Sequence, residues 1–145
     1  MTSPPDWTIR QCLKDDVVAV LDLWKEAEAT VSVSDAPNDL LSAIDSTSTL
    51  VLVAEIGDKG IVGSVIGAFD GWRGNIYRLA VHPSYRRRGI GRALVTEAER
   101  QLVQQGAKRI SALVERDHPW ATGFWTAVDY EQDGRMVRYV KNLIC

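Results

Sequence analysis

The stretch from Thr49 to His82 constrains the fold of this chain more than any other. It holds three apolar runs in close succession, TLVLVAEI (49–56), IVGSVIGAF (61–69) and NIYRLAVH (75–82). The turns between them, Gly57-Asp58-Lys59-Gly60 and Asp70-Gly71-Trp72-Arg73-Gly74, carry the Gly and Asp residues that reverse a chain between paired strands. An antiparallel meander is therefore predicted. Pro83 ends it, because proline has no N–H to give a ladder. Such a sheet must bury a face, and the rest of the chain supplies helices to cover it.

Upstream, residues 7–12 (WTIRQC) read as a short strand. Asp15 is then expected to cap a helix running to about Glu28, with Val17, Val20, Leu21 and Trp24 on one face. Residues 30–36 (TVSVSDA) read as a loop, and Pro37 opens a second helix over PNDLLSAI. Downstream, Ile90, Leu94, Ala98 and Leu102 recur every four positions, which predicts a helix from Gly89 to about Gln105, closed by Gly106. RISALVE (109–115) reads as a buried strand, Pro119 to about Val128 as a short helix, and Tyr130 with RMVRYVKNL (135–143) as one or two final strands. The predicted order is β-α-α-β-β-β-α-β-α-β-β, an α/β (α+β) fold with a mixed, mostly antiparallel sheet of six or seven strands and helices on both faces.

A chain of 145 residues suits one domain, and with 46% hydrophobic residues it can fill one core. The net charge of -2 gives no global attraction for nucleic acid or anionic membrane. No stretch approaches the roughly 18 apolar residues that span a bilayer. The opening MTSPPDW lacks the basic and apolar regions of a secretion signal, so the cytoplasm is the expected location. Cys12 and Cys145 are expected to be free thiols there, and neither sits in a nucleophile or metal-ligand pattern.

Chemistry concentrates in RLAVHPSYRRRGIGRALV (78–95), where Arg86-x-x-Gly89-x-Gly91 stands on the turn from a strand to a long helix. Glycine lets the backbone take positive φ and come close to a ligand. A helix start exposes unpaired N–H groups and partial positive charge, which favour phosphate. Arg86, Arg87, Arg88 and Arg92 add cations at the same point. The glycine order is wrong for a dinucleotide fingerprint, and the Gly-Lys-Ser/Thr of a P-loop is absent. A nucleic-acid patch would spread its charge and interleave aromatics, whereas these arginines share one turn.

The segment resembles motif A of the GNAT acetyltransferase superfamily. There [Arg/Gln]-x-x-Gly-x-[Gly/Ala] follows a strand ending in Leu-x-Val and an x-Pro turn, as Leu79-Ala80-Val81-His82-Pro83 leads here to Arg86. Ala121-x-x-Phe124-Trp125-x-x-x-Asp129-Tyr130 resembles a second family pattern, Ala-x-x-Phe-Tyr-x-x-x-Gly-Phe. The resemblance covers about residues 48–131, and the first 45 residues match only in β-α-α order. It implies acetyl-CoA as co-substrate, no metal, and transfer to a primary amine by direct attack in a ternary complex. The amides of Arg87, Arg88, Gly89, Ile90, Gly91 and Arg92 would cradle the pyrophosphate beside Arg86. Leu79, Ala80 and Val81 would pair with the pantetheine arm, and an amide near Val81 would face the thioester oxygen.

The chain departs from the pattern where the family's Tyr, which protonates the departing thiolate, is replaced by Trp125. Tyr130, Tyr77, Tyr139 or a water could substitute, or a thiol of pKa about 8.5 could leave unaided. Trp125 then reads as packing against the arm. His118 stands where the family often has Asn and could keep that hydrogen bond. Glu55, Asp70 and Glu115 are the candidate bases, and His82 reads as a turn residue. Nothing separates a small-molecule amine from a peptide N-terminus, and a homodimer is left open. A non-catalytic acetyl-CoA sensor is the alternative; binding to nucleic acid or membrane is not expected.

Overall fold

A computed structural model describes residues 6–29, 32–116 and 118–143. Cys145, one of the two expected thiols, lies outside them. The chain divides into two compact units, one ending at Ala112 and the other starting at Leu113.

The first unit is a five-stranded sheet in chain order: β1 (Trp7–Gln11), β2 (Thr49–Ile56), β3 (Gly60–Phe69), β4 (Gly74–Val81) and β5 (Ile110–Ala112). Neighbouring strands are antiparallel except β4 and β5, which are parallel from Gly74↔Ile110 to Ile76↔Ala112. The predicted meander forms with bounds within one residue of those read from the sequence.

Period-two alternation along β2 sorts the core into two layers. Val51 and Val53 face α1 (Val17–Glu26) and α2 (Pro37–Asp45), where Val20, Leu23, Trp24 and Leu40 close over them. Leu50 points the other way, into the gap above Gly67 that Leu102 of α3 (Ile90–Gln105) also fills. Each such fully buried aliphatic side chain contributes about 1.5–3 kcal/mol.

Three expectations need correction. Asp15 is exposed and does not cap α1; Asp16 does the local work, its Oδ2 accepting the Leu13 N–H at 2.8 Å inside a 3-10 turn, Lys14–Asp16. The strand expected over 109–115 spans only Ile110–Ala112, and Leu113 and Val114 are exposed rather than buried. Among the described residues no strand follows Ala112, so the sheet has five strands where six or seven are expected, and the final β-β of the predicted order is missing. Met136, Val137, Tyr139 and Val140 are exposed. Strand propensity is largely packing against a paired neighbour, so an apolar alternation without a ladder partner stays irregular.

The second unit holds α4 (Pro119–Ala127) and a chain of ring contacts. Trp120 stacks on Phe124 at 4.8 Å, Phe124 meets Trp125 edge-on at 5.3 Å, and Trp125 meets Tyr130 edge-on at 4.8 Å. Tyr130 also donates its backbone N–H to the Trp125 carbonyl at 3.0 Å.

Candidate active site

In β4 the ladder to β3 slips. Ser64 faces Ala80 while Ile66 faces Tyr77, so Arg78 and Leu79 together stand opposite Val65. Arg78 absorbs the extra residue in the left-handed region, at φ +53°. A bulge of this kind bends its strand and re-aims side chains. On the other side of β4, pairing with β5 stops at Ile76. From Tyr77 to Val81 the edge that would continue toward β5 has no strand partner among the described residues. An unpaired strand edge offers N–H and C=O groups to any extended chain laid beside it.

The open edge leads directly into the turn before α3. His82 N–H closes the β3 pairing on the Val62 carbonyl at 2.8 Å, and Arg86 Nε donates to the Val81 carbonyl at 3.1 Å. Arg87 at φ +64° and Gly89 at φ +92° then reverse the chain into the helix. A Cβ on Gly89 would meet only Trp7, at 4.0 Å. The torsion, and not crowding, is what asks for glycine there. The Ala93 N–H takes the Gly89 carbonyl at 3.0 Å as its helical bond, so the amides of Ile90, Gly91 and Arg92 precede the helix ladder. Arg87, Arg88 and Arg92 are exposed around them, while Ile90 and Gly91 are buried. The turn therefore joins helix-dipole, amide and guanidinium contributions in one anion-binding geometry.

The structure thus brings together Leu79, Ala80, Val81 and the run from Arg86 to Arg92. It does not gather Glu55 or Asp70 with them. Glu55 lies on β2, two strands away from β4, and receives Arg10 Nη2 at 3.1 Å and Nε at 3.4 Å. Arg10 also clamps Asp16 at 2.7 Å, and the two carboxylates hold its guanidinium firmly protonated. Asp70 is an exposed residue of the turn between β3 and β4, at the Gly74 end of β4, and Gly74 is roughly 23 Å of strand from Val81. Its Oδ1 accepts the Arg73 and Trp72 amides at 2.8 Å each, which hold the carboxyl below the usual range.

In the second unit Glu115 is exposed. His118 precedes α4, and its Nδ1 is buried with no hydrogen-bond partner. Trp125 is buried against Tyr130, as described, and Asp129 takes φ +74° where the family pattern has Gly. Among the described residues no group of three or more His, Cys, Asp and Glu is placed to hold a metal, and no helix is long and apolar enough to cross a membrane.

Two long-range pairs that fix the ends of this stretch of β4 carry no expectation from the sequence. Arg78 Nη2 reaches Asp35 at 2.8 and 2.7 Å, across 43 positions of chain. His82 Nδ1 accepts the Ser84 N–H at 3.1 Å, and its Nε2 lies 2.6 Å from Glu26 Oε2. Neither pair has a local sequence signal.

A mixed sheet whose β4 carries an unpaired stretch feeding a glycine turn at a helix start sets an open strand edge beside a turn that favours anions. The chain belongs to the acetyltransferase (GNAT) family, which it matches over residues 17–130. It is 37% identical to an acetyltransferase of Pectobacterium atrosepticum over 123 residues, 85% of this chain and 86% of that one. An acetyltransferase of Sodalis glossinidius is 33% identical over 136 residues, 94% and 95% of the two chains. Among solved structures, an aminoglycoside N-acetyltransferase, AAC(6')-Iy in complex with CoA, has a TM-score of 0.77 at 17% identity, covering 93% of this chain and 94% of that one. The PaiA N-acetyltransferase of Thermoplasma acidophilum, in complex with coenzyme A, has a TM-score of 0.76 at 19% identity, covering 88% and 93%. These likenesses establish the GNAT fold, and the sequence relatives establish an acetyl-CoA-dependent acyltransferase.

Proposed function

We propose that this chain, acting as a single catalytic domain in the cytoplasm, transfers the acetyl group of acetyl-CoA to a primary amine by direct attack in a ternary complex. The observation that carries the reading is the unpaired edge of β4 from Tyr77 to Val81 running into the Gly89 turn. The amides from Arg87 to Arg92, with the Arg86, Arg87, Arg88 and Arg92 side chains, hold the pyrophosphate. The backbone of Leu79, Ala80 and Val81 pairs with the amide groups of the pantetheine arm. An N–H of the same stretch faces the thioester oxygen, where charge develops as the amine attacks.

The amine nitrogen bonds to the thioester carbon and loses a proton, and the sulfur departs with the electrons of the C–S bond. By their place in the family pattern, His118 and Trp125 serve the arm. Tyr130 is the acid candidate best supported, since its ring lies against Trp125, which holds the position of the family's tyrosine. The thiolate also leaves tolerably unaided. Glu115, exposed in the second unit, stays a base candidate beside Glu55 and Asp70, whose carboxylates take part in structural hydrogen bonds. Solved neighbours named as aminoglycoside N-acetyltransferases support an amine acceptor.

Calorimetric titration with acetyl-CoA, beside 3′-dephospho-CoA and NADH, tests the reading. Binding of acetyl-CoA without NADH is expected, and no binding to the folded protein would remove it. The replacement of the usual tyrosine by Trp125 favours one other reading, an acetyl-CoA sensor without turnover. Amine-dependent release of CoA excludes that second reading.

A further inference from the structure

Arg78 occupies an unusual place. It is a bulge residue of β4, inside the open stretch Tyr77–Val81 and immediately before Leu79, and it holds a left-handed φ of +53° that non-glycine residues rarely adopt. Its guanidinium lies 5.2 Å from the ring centroid of Trp24, whose indole is in turn fixed by the buried Ser64 hydroxyl at 3.0 Å. Asp35 secures it from a second side. Both Asp35 oxygens are taken by the one nitrogen, Nη2. The Nε and Nη1 donors make no hydrogen bond to any described residue, and the side chain keeps 20% of its exposure.

Asp35 is equally well placed. From Ser32 to Asp39 it is the one residue that is not exposed, and its Oδ2 also accepts the Ser32 N–H at 2.8 Å. The ion pair is thus the point at which the α1–α2 loop is tied to the bulge. A fixed cation with spare donors and a fixed anion stand side by side, next to the strand residues assigned to the thioester.

We propose that Arg78 is the specificity-determining residue for the acetyl acceptor, and that the acceptor is an amine bearing a carboxylate close to the amino group, as in a free amino acid. The spare Arg78 donors take the carboxylate as charge-assisted hydrogen bonds, and Asp35 attracts the ammonium before it is deprotonated. Reaction balance is that of acetyl transfer: the N–C bond forms, the C–S bond breaks, and the amine proton leaves to base or water. The same guanidinium disfavours polycationic acceptors, since a like charge is brought against it at the point of transfer. The inference rests on the acetyl-transfer reading.

The test pairs amines that differ by one carboxylate: L-lysine with cadaverine, L-phenylalanine with phenethylamine, L-methionine with 3-(methylthio)propylamine. CoA release is measured for each, and acetyl-CoA affinity is measured separately by calorimetry. The carboxylate-bearing member of a pair is expected to show kcat/KM higher by about tenfold or more. Arg78→Gln should erase that ratio while acetyl-CoA affinity stays within about twofold, and Arg78→Lys should restore part of it. A merely structural Arg78 would lower both members of a pair alike. A higher rate with the decarboxylated amines, a ratio that survives in Arg78→Gln, or no turnover of any carboxylate-bearing amine by protein that binds acetyl-CoA would overturn the proposal. Failure to bind acetyl-CoA at all would instead remove the transferase reading beneath it.

Discussion

The indole N–H of Trp24 donates to the hydroxyl of Ser64 across 3.0 Å, inside a core that is otherwise apolar. Ser64 is 1% exposed and is the one buried polar residue among those described, so the bond satisfies two groups that water cannot reach. It ties α1 to the middle of β3, directly beneath the Arg78 guanidinium.

Removing the hydroxyl should therefore cost more than its size suggests. Ser64→Ala strands a buried donor and is expected to destabilise by about 1–3 kcal/mol in chemical denaturation. Ser64→Ala combined with Trp24→Phe should cost less than the sum of the two single changes, by at least about 0.5 kcal/mol. Strict additivity would show that the bond contributes nothing.

A second prediction concerns pH. Asp16 is held below the usual carboxylate range chiefly by the Arg10 side chain; partial burial opposes this, and the Leu13 amide lowers it further. A depressed folded value means that the ionised pair stabilises the protein above the ordinary carboxylate value of about 3.9, and that this contribution is lost as pH falls through the folded value. The stability advantage of the wild type over Asp16→Asn should be full at neutral pH and shrink progressively below about pH 4. An advantage independent of pH would assign the effect to packing.

Gly89 separates backbone strain from ligand access. At φ +92°, with Trp7 as the nearest atom at 4.0 Å, Gly89→Ala meets no steric obstacle but should cost about 1–2 kcal/mol in torsional strain. Gly89→Glu should cost a similar amount of stability and abolish acetyl-CoA binding, because it sets a carboxylate against the phosphates. Unchanged affinity in Gly89→Glu would remove the Gly89 turn from the cofactor site.

What the sequence made legible was local. The Gly57–Gly60 and Asp70–Gly74 turns, the four-residue recurrence from Ile90 to Leu102 and the Arg86–Gly91 turn each act over one or two turns of chain, and all formed where expected. The bulge at Arg78 was hidden, because a left-handed arginine carries none of the Gly or Asn signal that marks such a position. The Arg78–Asp35 and Glu26–His82 pairs depend on packing α1 and its loop over β4, a contact that no spacing encodes. The early end of β5 was equally hidden: the pairing with β4 stops at Ala112, while Leu113 and Val114 keep the apolar pattern. The strands expected at Tyr130 and over 135–143 had the right alternation but no ladder, and strand propensity cannot supply a partner.

The last prediction tests how closely α3 must seat on the sheet for its first turn to serve as an anion site. A Cβ built on Gly63 lies 3.0 Å from Ile90 Cγ2, 3.0 Å from Leu94 Cδ1 and 3.4 Å from Ala54 Cβ. Two of these atoms belong to the first turns of α3, next to Gly89. Gly63→Ala should therefore lose about 1–3 kcal/mol of stability by overpacking and, by lifting the helix start, also weaken acetyl-CoA binding. Gly123, inside α4 with nothing within 4 Å of its added Cβ, provides the contrast: Gly123→Ala should stabilise by up to about 1 kcal/mol. Leu94→Ala should cost less in the Gly63→Ala background than in the wild type, since the truncated leucine makes room for the new methyl. If Gly63→Ala loses stability but keeps full acetyl-CoA affinity, the helix start tolerates displacement, and the amides of the Gly89 turn matter less than the arginines around them.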